Sequence, residues 1–263
     1  MGLAENGWQI FDYDLDKGVS RQLTFSPGDK RSPQWNPATQ EVTFRDALGH
    51  VMVYSEGSDP QMLTPFGSCS DYALTGQGFP LYYTRLAVGN PQRQFIWRLD
   101  ESGGEPKLAY RPTKGSMRQV RLSPDGRWLA ATHLWQRAEE RLIAIPLDTS
   151  LRSRYLTAEK QVAVFPSWHP DEQHIIYAKQ MTQDNYDLYM VNLDTRKSKP
   201  LLQTAKASEL APVMDEAGQF VYFEQHEKGQ PVKLARLEVD SGRVVLLDLP
   251  EPAREPFWYY HLP

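Results

Sequence analysis

The chain has 263 residues, 29 basic against 33 acidic for a net charge of −4, and a single cysteine, Cys69. Neither sign gathers into a block, which excludes the basic face of a nucleic-acid binder. One cysteine excludes an internal disulfide, and no run of 18 apolar residues marks a spanning helix. Aromatics at 11%, with 20 Pro and 17 Gly spread evenly, suit many short strands joined by tight turns.

In chain order, the first predicted element is the alternating run WQIFDYDLDKG, followed by RQLTF (8–25). Its period of two puts Ile10, Asp12 and Asp14 on one strand face and Phe11, Tyr13 and Leu15 on the other. Asp12, Asp14, Asp16 and Gly18 are spaced almost as in a calcium loop, but the glycine falls one place late and Leu23 occupies the twelfth position. The run reads as strand edge and turn, with no metal. A different unit follows, a turn signal and then an apolar strand, QWNPATQEVTF (34–44). The two kinds of unit then alternate along the chain. HVMVYSEG with QMLT (50–64) precedes ALTGQGFPLYY (73–83), and QFIWRLDESGG with KLAY (94–110) precedes RLSPDGRWLAA (121–131). RLIAIPLDTS with RYLT (141–157) precedes SWHPDEQHIIYA (167–178), and DLYMVNLDTRK with PLLQT (187–204) precedes VMDEAGQFVYF (213–223). KLARLEVDSG with RVVLLDL (233–249) is the sixth second half, and EPFWYYHLP (255–263) ends the chain as a first strand.

The turn chemistry explains the punctuation. In Ser123-Pro124-Asp125-Gly126, proline presets φ, aspartate bonds the local backbone and glycine supplies a positive φ. Asn36-Pro37-Ala38-Thr39 and His169-Pro170-Asp171-Glu172 occupy the same corner. Anchor residues Trp35, Leu74, Leu122, Trp168, Met214 and Trp258 are separated by 39, 48, 46, 46 and 44 residues. Four short strands per repeat of about 44 residues is the content of one propeller blade, a sheet that must pack against its neighbours. The expectation is an all-β, six-bladed β-propeller of four-stranded antiparallel blades, spanning 1–263 as one domain. Pairing of the N- and C-terminal strands, Phe257 and Trp258 completing the sheet begun at Trp8, should close the ring. One strand of that blade is not evident at either end, as in an excerpt of a longer chain.

Pro166-Ser167-Trp168-His169-Pro170-Asp171, then Asp187-Leu188-Tyr189-Met190 and Asn192-Leu193-Asp194, carry a family resemblance. Arg21-Gln22-Leu23-Thr24 and Arg154-Tyr155-Leu156-Thr157 look like the fourth strand of the same pattern. The sequence resembles the TolB-like propeller repeat family over nearly its whole length. Similar propellers occur in TolB, in dipeptidyl peptidase IV-like serine peptidases and in the extracytoplasmic part of CadC-like membrane-bound transcriptional regulators. The resemblance implies a periplasmic or extracytoplasmic binding, sensing or protein-interaction scaffold, free of catalysis in the TolB case and enzymatic in the lyase, hydrolase or peptidase alternatives.

The residues favour the scaffold. A G-x-S-x-G nucleophile elbow is absent; Gly67-Ser68-Cys69-Ser70 lacks the second glycine. His169 and His174 lie five apart across a turn, and Cys69 has no neighbouring histidine in sequence, so these read as structural. His133, beside Trp135 and Arg137, is a candidate contact residue. No cofactor, metal or catalytic residue is expected, the domain itself should make no direct nucleic-acid contact, and no membrane segment is expected in this chain. Trp35, Trp168 and Trp258 recur at one repeat position and read as blade packing. Position in the repeat gives the candidate site, because the loop leading into each first strand sits at the channel mouth. Three or four residues before the anchors stand Arg31, Asp71, Arg118, Phe165, Arg254 and Glu255, a set expected to bind a protein, peptide or small ligand. The arginines favour an anionic or carboxylate-bearing partner, with Asp71 and Glu255 partly neutralising them. Val164 and Phe165 would add apolar character to the rim.

Overall fold

The Pro124-Asp125 and Pro170-Asp171 corners are turns, and every regular element among the described residues is a β-strand. A computed structural model describes residues 1–36, 39–87, 89–136, 139–250 and 252–257. The N-terminal strands are β1 (Gly2–Ala4), β2 (Gly7–Gln9), β3 (Phe11–Asp14) and β4 (Val19–Gln22). The next sheet holds β5 (Arg31–Asn36), β6 (Glu41–Arg45), β7 (Val51–Tyr54) and β8 (Gln61–Met62). A second holds β9 (Cys69–Ala73), β10 (Leu81–Ala87), β11 (Asn90–Leu99) and β12 (Lys107–Tyr110). The third comprises β13 (Ser116–Leu122), β14 (Trp128–Gln136), β15 (Glu139–Pro146) and β16 (Arg154–Tyr155). The fourth comprises β17 (Ala163–Trp168), β18 (His174–Thr182), β19 (Asn185–Asn192) and β20 (Ser198–Leu202). The fifth comprises β21 (Ala207–Met214), β22 (Phe220–Glu227), β23 (Lys233–Glu238) and β24 (Val244–Leu246).

Each of these five sheets is a four-stranded antiparallel meander in chain order. The first strands of neighbouring sheets touch, β9 to β13, β13 to β17 and β17 to β21, as in an all-β propeller whose first strands are innermost. The R-x-L-T signature is a latch between the outermost strand and its neighbour. Leu23, Leu63 and Leu156 donate their backbone N–H to the carbonyls of Ile10, Val51 and Leu142 at 2.8, 2.8 and 2.9 Å. The following threonines, Thr24, Thr64 and Thr157, accept the N–H of those same three residues on Oγ1, each at 3.0 Å. All three threonines are buried, so the hydroxyl satisfies a donor that would otherwise face apolar surroundings.

Hydrophobic clusters fill the gaps between sheets. One joins Val51 to Tyr72, Leu81 and Tyr83; the next joins Ile96 to Met117, Leu129 and Ile143. A third encloses Trp168 between Ala130, Leu142 and Ala144 on one side and Ile175, Tyr177 and Tyr189 on the other. A fourth joins Leu188 to Phe223 and Leu237, and a fifth joins Ile10 and Leu23 to Val42 and Phe44. Each gap buries several large side chains worth about 1.5–3 kcal/mol apiece, which is how thin sheets become one stable body.

The expectation of six four-stranded blades is corrected here. Five sheets have four strands, and the N-terminal residues form two two-stranded ribbons, β1–β2 and β3–β4. β1, three residues long, pairs with β2, and β3 pairs with β4. Residues 252–257 add a single bridge, Gly2 to Ala253, flanked by hydrogen bonds between Met1 and Arg254 at 2.9 and 3.0 Å and from Leu3 to the Pro252 carbonyl at 3.1 Å. The corner residues Pro37 and Ala38, Arg137 beside His133, and the anchor Trp258 with its expected pairing all lie outside the described residues.

Candidate functional site

The innermost strands share a device. In β5, β13, β17 and β21 the ladder skips two residues, between Arg31 and Gln34, Arg118 and Arg121, Val164 and Ser167, and Leu210 and Val213. The first skipped residue is left-handed each time: Ser32 at φ 51°, Gln119 at 53°, Phe165 at 55° and Ala211 at 49°. Glu255, at φ 50°, stands two residues after Ala253 just as Phe165 stands two after Ala163. None of the five is glycine, so each carries the steric cost of a left-handed side chain, roughly 1–2 kcal/mol. The second sheet departs from the pattern. Asp71 and Tyr72 pair normally there, and the irregularity moves to Ser70.

These bulges open the inner strand and let a neighbour bond the exposed backbone. Gln119 Oε1 accepts the Phe165 N–H at 2.8 Å and the Thr132 hydroxyl at 2.7 Å. Glu255 accepts the Ser32 N–H on Oε2, and its own N–H reaches Glu224 Oε1 at 2.6 Å. Glu224, buried, is held from its other oxygen by His226 Nε2 at 2.6 Å. The arrangement carries inner-strand geometry from one sheet to the next.

The predicted site residues divide into groups. Arg31, Arg254 and Glu255 come together. Arg31 lies 3.1 Å from Asp29 and 3.7 Å from Glu255. Arg254 stacks over Trp8 at 3.7 Å, and its Nε and Nη2 are buried without a hydrogen-bond partner among the described residues. Burial pushes its guanidinium pKa down, and nearby Arg31 adds to the effect. The Met1 ammonium is pushed down to about 6 by the same burial, opposed by Glu255 and Glu224. Arg118 sits elsewhere, paired with Glu140 at 3.4 Å, and meets Phe165 only through its neighbour Gln119. Asp71 is buried and bound to Arg121 at 2.8 Å, so it neutralises none of the three rim arginines. Phe165 is half-buried, whereas Val164 is buried and adds nothing to the rim.

Sequence reasoning missed Asp29, Glu224, His226 and Glu209. Glu209 is fully buried, accepts from Thr204 Oγ1 at 2.7 Å, and leaves Oε2 without a partner among the described residues. Burial, with Asp187 nearby, pushes its carboxyl up to about 7. A charged residue two places from the bulge in an alternating strand could have flagged it. His133 is a correction: it is buried, bonded to Tyr155 OH at 2.7 Å and the Lys114 carbonyl at 2.8 Å, and burial lowers its pKa. The carbonyl can only accept, so Nε2 carries the proton and neutral imidazole fits the site. Cys69 is buried and its thiol is pushed up to about 12, which removes its nucleophilicity. His174 and the turn backbone bond Asp171, His174 Nδ1 at 2.6 Å, as turn residues. Asp14 likewise caps its own turn and pairs with Lys17 at 2.8 Å. Among the described residues no three His, Cys, Asp or Glu side chains converge on a metal-sized site, and no helix is long and apolar enough to cross a membrane.

No family model and no curated protein matches this chain. Solved structures do. TolB from Acinetobacter baumannii superposes with a TM-score of 0.81 at 17% identity, covering 96% of this chain and 63% of that one. The chain therefore spans less than two thirds of that protein. A TolB candidate from Agrobacterium tumefaciens gives 0.78 at 17% identity, with 89% and 86% covered. An oligogalacturonate lyase in complex with manganese gives 0.64 at 14% identity, with 90% and 70% covered. At these identities the likeness is one of fold: a TolB-like β-propeller architecture that both binding proteins and enzymes use.

Proposed function

We propose that the protein is a non-enzymatic scaffold that binds a protein, peptide or small ligand at the rim formed by its inner-strand bulges. The observation that carries this reading is the run of non-glycine left-handed residues, Ser32, Gln119, Phe165, Ala211 and Glu255. Glycine would hold the same backbone more cheaply, and strain of this kind collects at functional sites. Gln119 and Glu255 use their side chains to lock the next strand, while Phe165 leaves a half-exposed ring. The proposed contact set is Arg31, Asp71, Arg118, Phe165, Arg254 and Glu255, whose arginines favour a carboxylate on the partner. Arg31 and Arg118 have acidic partners in Glu255 and Glu140, and Asp71 has its partner in Arg121.

The fine reading of the ring is six-bladed, residues 252–257 supplying an inner strand to the N-terminal ribbons. The Glu255 bulge and the Gly2 to Ala253 bridge support it. The reading places the protein outside the cytoplasm, a setting that the likeness to TolB supports. The sensor reading, a part of a CadC-like membrane-bound regulator, has no support in the comparisons.

The test is a thermal-shift and direct-binding screen of a peptide and small-acid library against the full chain, repeated with Phe165→Gly and Arg254→Ala. Ligands found with the wild type should lose about tenfold or more in affinity in both variants, with Phe165→Gly at least as stable as the parent. Turnover in a glycoside-lyase or peptide-hydrolysis screen, with the binding screen silent, overturns the proposal.

A further inference from the structure

The gap between the first and second sheets departs from the repeat on both walls. In β5, β13, β17 and β21 the residue before the left-handed one pairs with Arg45, Thr132, Ala178 and Glu224 in turn. Of these four sheets, the first alone sets an arginine at that place. The facing wall is the second sheet, whose inner strand lacks the shared bulge, and there Arg85 pairs with Cys69.

Strand alternation turns the two arginines toward each other. Thr43 and Arg45 share the face of β6 that meets the second sheet: Thr43 Oγ1 lies 3.0 Å from Tyr72 OH, and Arg45 Nη1 donates to the Cys69 carbonyl at 2.9 Å. Tyr83 and Arg85 share the face of β10 that meets the first sheet, where Tyr83 packs with Val51 and Phe66. The Arg85 guanidinium lies over the Phe66 ring at 3.8 Å, which fixes its plane and leaves its N–H edge available. Among the described residues that guanidinium donates to no acceptor, and neither arginine has a carboxylate partner. Asp46, next in sequence to Arg45, is turned onto His50 Nδ1 at 2.9 Å and the N–H groups of Leu48 and His50. Burial pushes the Cys69 thiol up to about 12 against the pull of Arg85 and Arg45, so the thiol stays neutral and supplies no counter-charge. By contrast, Arg31 and Arg118 at the rim are paired with Glu255 and Glu140. Two half-buried like charges facing across one gap are unfavourable until an anion joins them.

We infer that Arg45 and Arg85 hold the carboxylate of a ligand, with Phe66 and Leu48 against its apolar part. Leu48 is 72% exposed, and its carbonyl accepts the Ser68 N–H at 2.9 Å, which fastens its turn beside the Phe66 loop. A carboxylate fits the planar guanidinium fork, and the apolar neighbours favour an acid with an apolar body over inorganic phosphate. The inference rests on the binding reading above for its class of ligand and moves the charged contact to residues outside the rim set.

Calorimetric titration of the full chain with benzoate, isovalerate and a leucine-ending tripeptide, free or amidated at its carboxyl end, tests it. At least one acid should bind the parent. Arg85→Gln should weaken that binding about tenfold or more, and Arg85→Lys, which keeps the charge and loses the fork, by less. The Arg85→Gln chain should itself melt within about 2 °C of the parent, since it breaks no ion pair. Binding of the small acids without the tripeptide supports the site with a small acid as the source, and the reverse supports it with a peptide terminus. Unchanged affinity in Arg85→Gln, equal affinity of the amidated peptide, or tighter binding of inorganic phosphate overturns the inference. Affinity lost in Phe165→Gly and Arg254→Ala but kept in Arg85→Gln overturns it alone and leaves the rim reading standing. Silence from every acid also overturns it, whereas the rim reading fails only on its wider screen.

Discussion

The fourth full sheet and the N-terminal ribbons are built from one repeat and end in different states. In β17–β20 all four strands are consecutive in sequence, the bulge residue is Phe165, and Trp168 is buried between two sheets. The ribbons carry the threonine latch of the first and third sheets, at Thr24 and Ile10, and meet the left-handed bulge of the fourth, at Glu255. Yet residues 252–257 meet them through the single Gly2 to Ala253 bridge, and β1 pairs with β2 while β3 pairs with β4. Latch and bulge are local devices and survive, whereas a full ladder needs continuous strand on both sides. The charged set of Arg31, Arg254, Glu255, Glu224 and His226 collects at this seam, where apolar filling is thinnest.

The comparison can be broken at its strongest point. Trp168→Ala should cost about 3–5 kcal/mol in urea unfolding, while Trp8→Ala, which removes a half-buried ring stacked on Arg254, should cost about 1–2 kcal/mol. Equal losses would mean the seam is as tightly packed as the complete sheets.

A pH titration of stability sharpens it next. Glu209, on β21 of the fifth sheet and bonded by the Thr204 hydroxyl, has a folded-state pKa of about 7, above its ordinary 4.5. A raised acid is stabilising in its protonated form. Its contribution is fully present below pH 4.5 and is lost as pH rises through 7. Glu209→Gln should therefore flatten the stability profile between pH 5 and 8 and exceed the parent at pH 8, by up to roughly 3 kcal/mol. A parent profile that rises over this interval by the same amount would contradict the burial of this carboxyl.

The smallest effect separates latch from packing. Thr157→Val and Thr24→Val each leave a backbone N–H, of Leu142 or Ile10, without its acceptor and should each cost about 1–2 kcal/mol. Similar losses at both sites would show the latch working alike in a complete sheet and in a ribbon. A loss confined to Thr157 would show that the N-terminal latch is loose.

The R-x-L-T pattern, the Pro-Asp-Gly corners and the anchor spacing made the propeller readable, because turns and latches are contacts within one unit. Asp71 was readable as a position but not as a partner of Arg121, fifty residues away. The left-handed conformations at Ser32, Gln119, Phe165, Ala211 and Glu255 left no glycine to reveal them. His133 looked like a loop contact because its neighbours are polar and aromatic, and only the fold placed it against Tyr155 and Lys114.

By itself the sequence determined the repeat, the antiparallel meander and which positions face the inner strands, since period-two patterning and turn chemistry act over a few residues. Only the tertiary structure decided how many sheets reach four strands, which charges pair across sheets and which gap turns two arginines toward each other. Those depend on strands meeting from distant parts of the chain, where the cost of closure and the fit of particular side chains outweigh local preference.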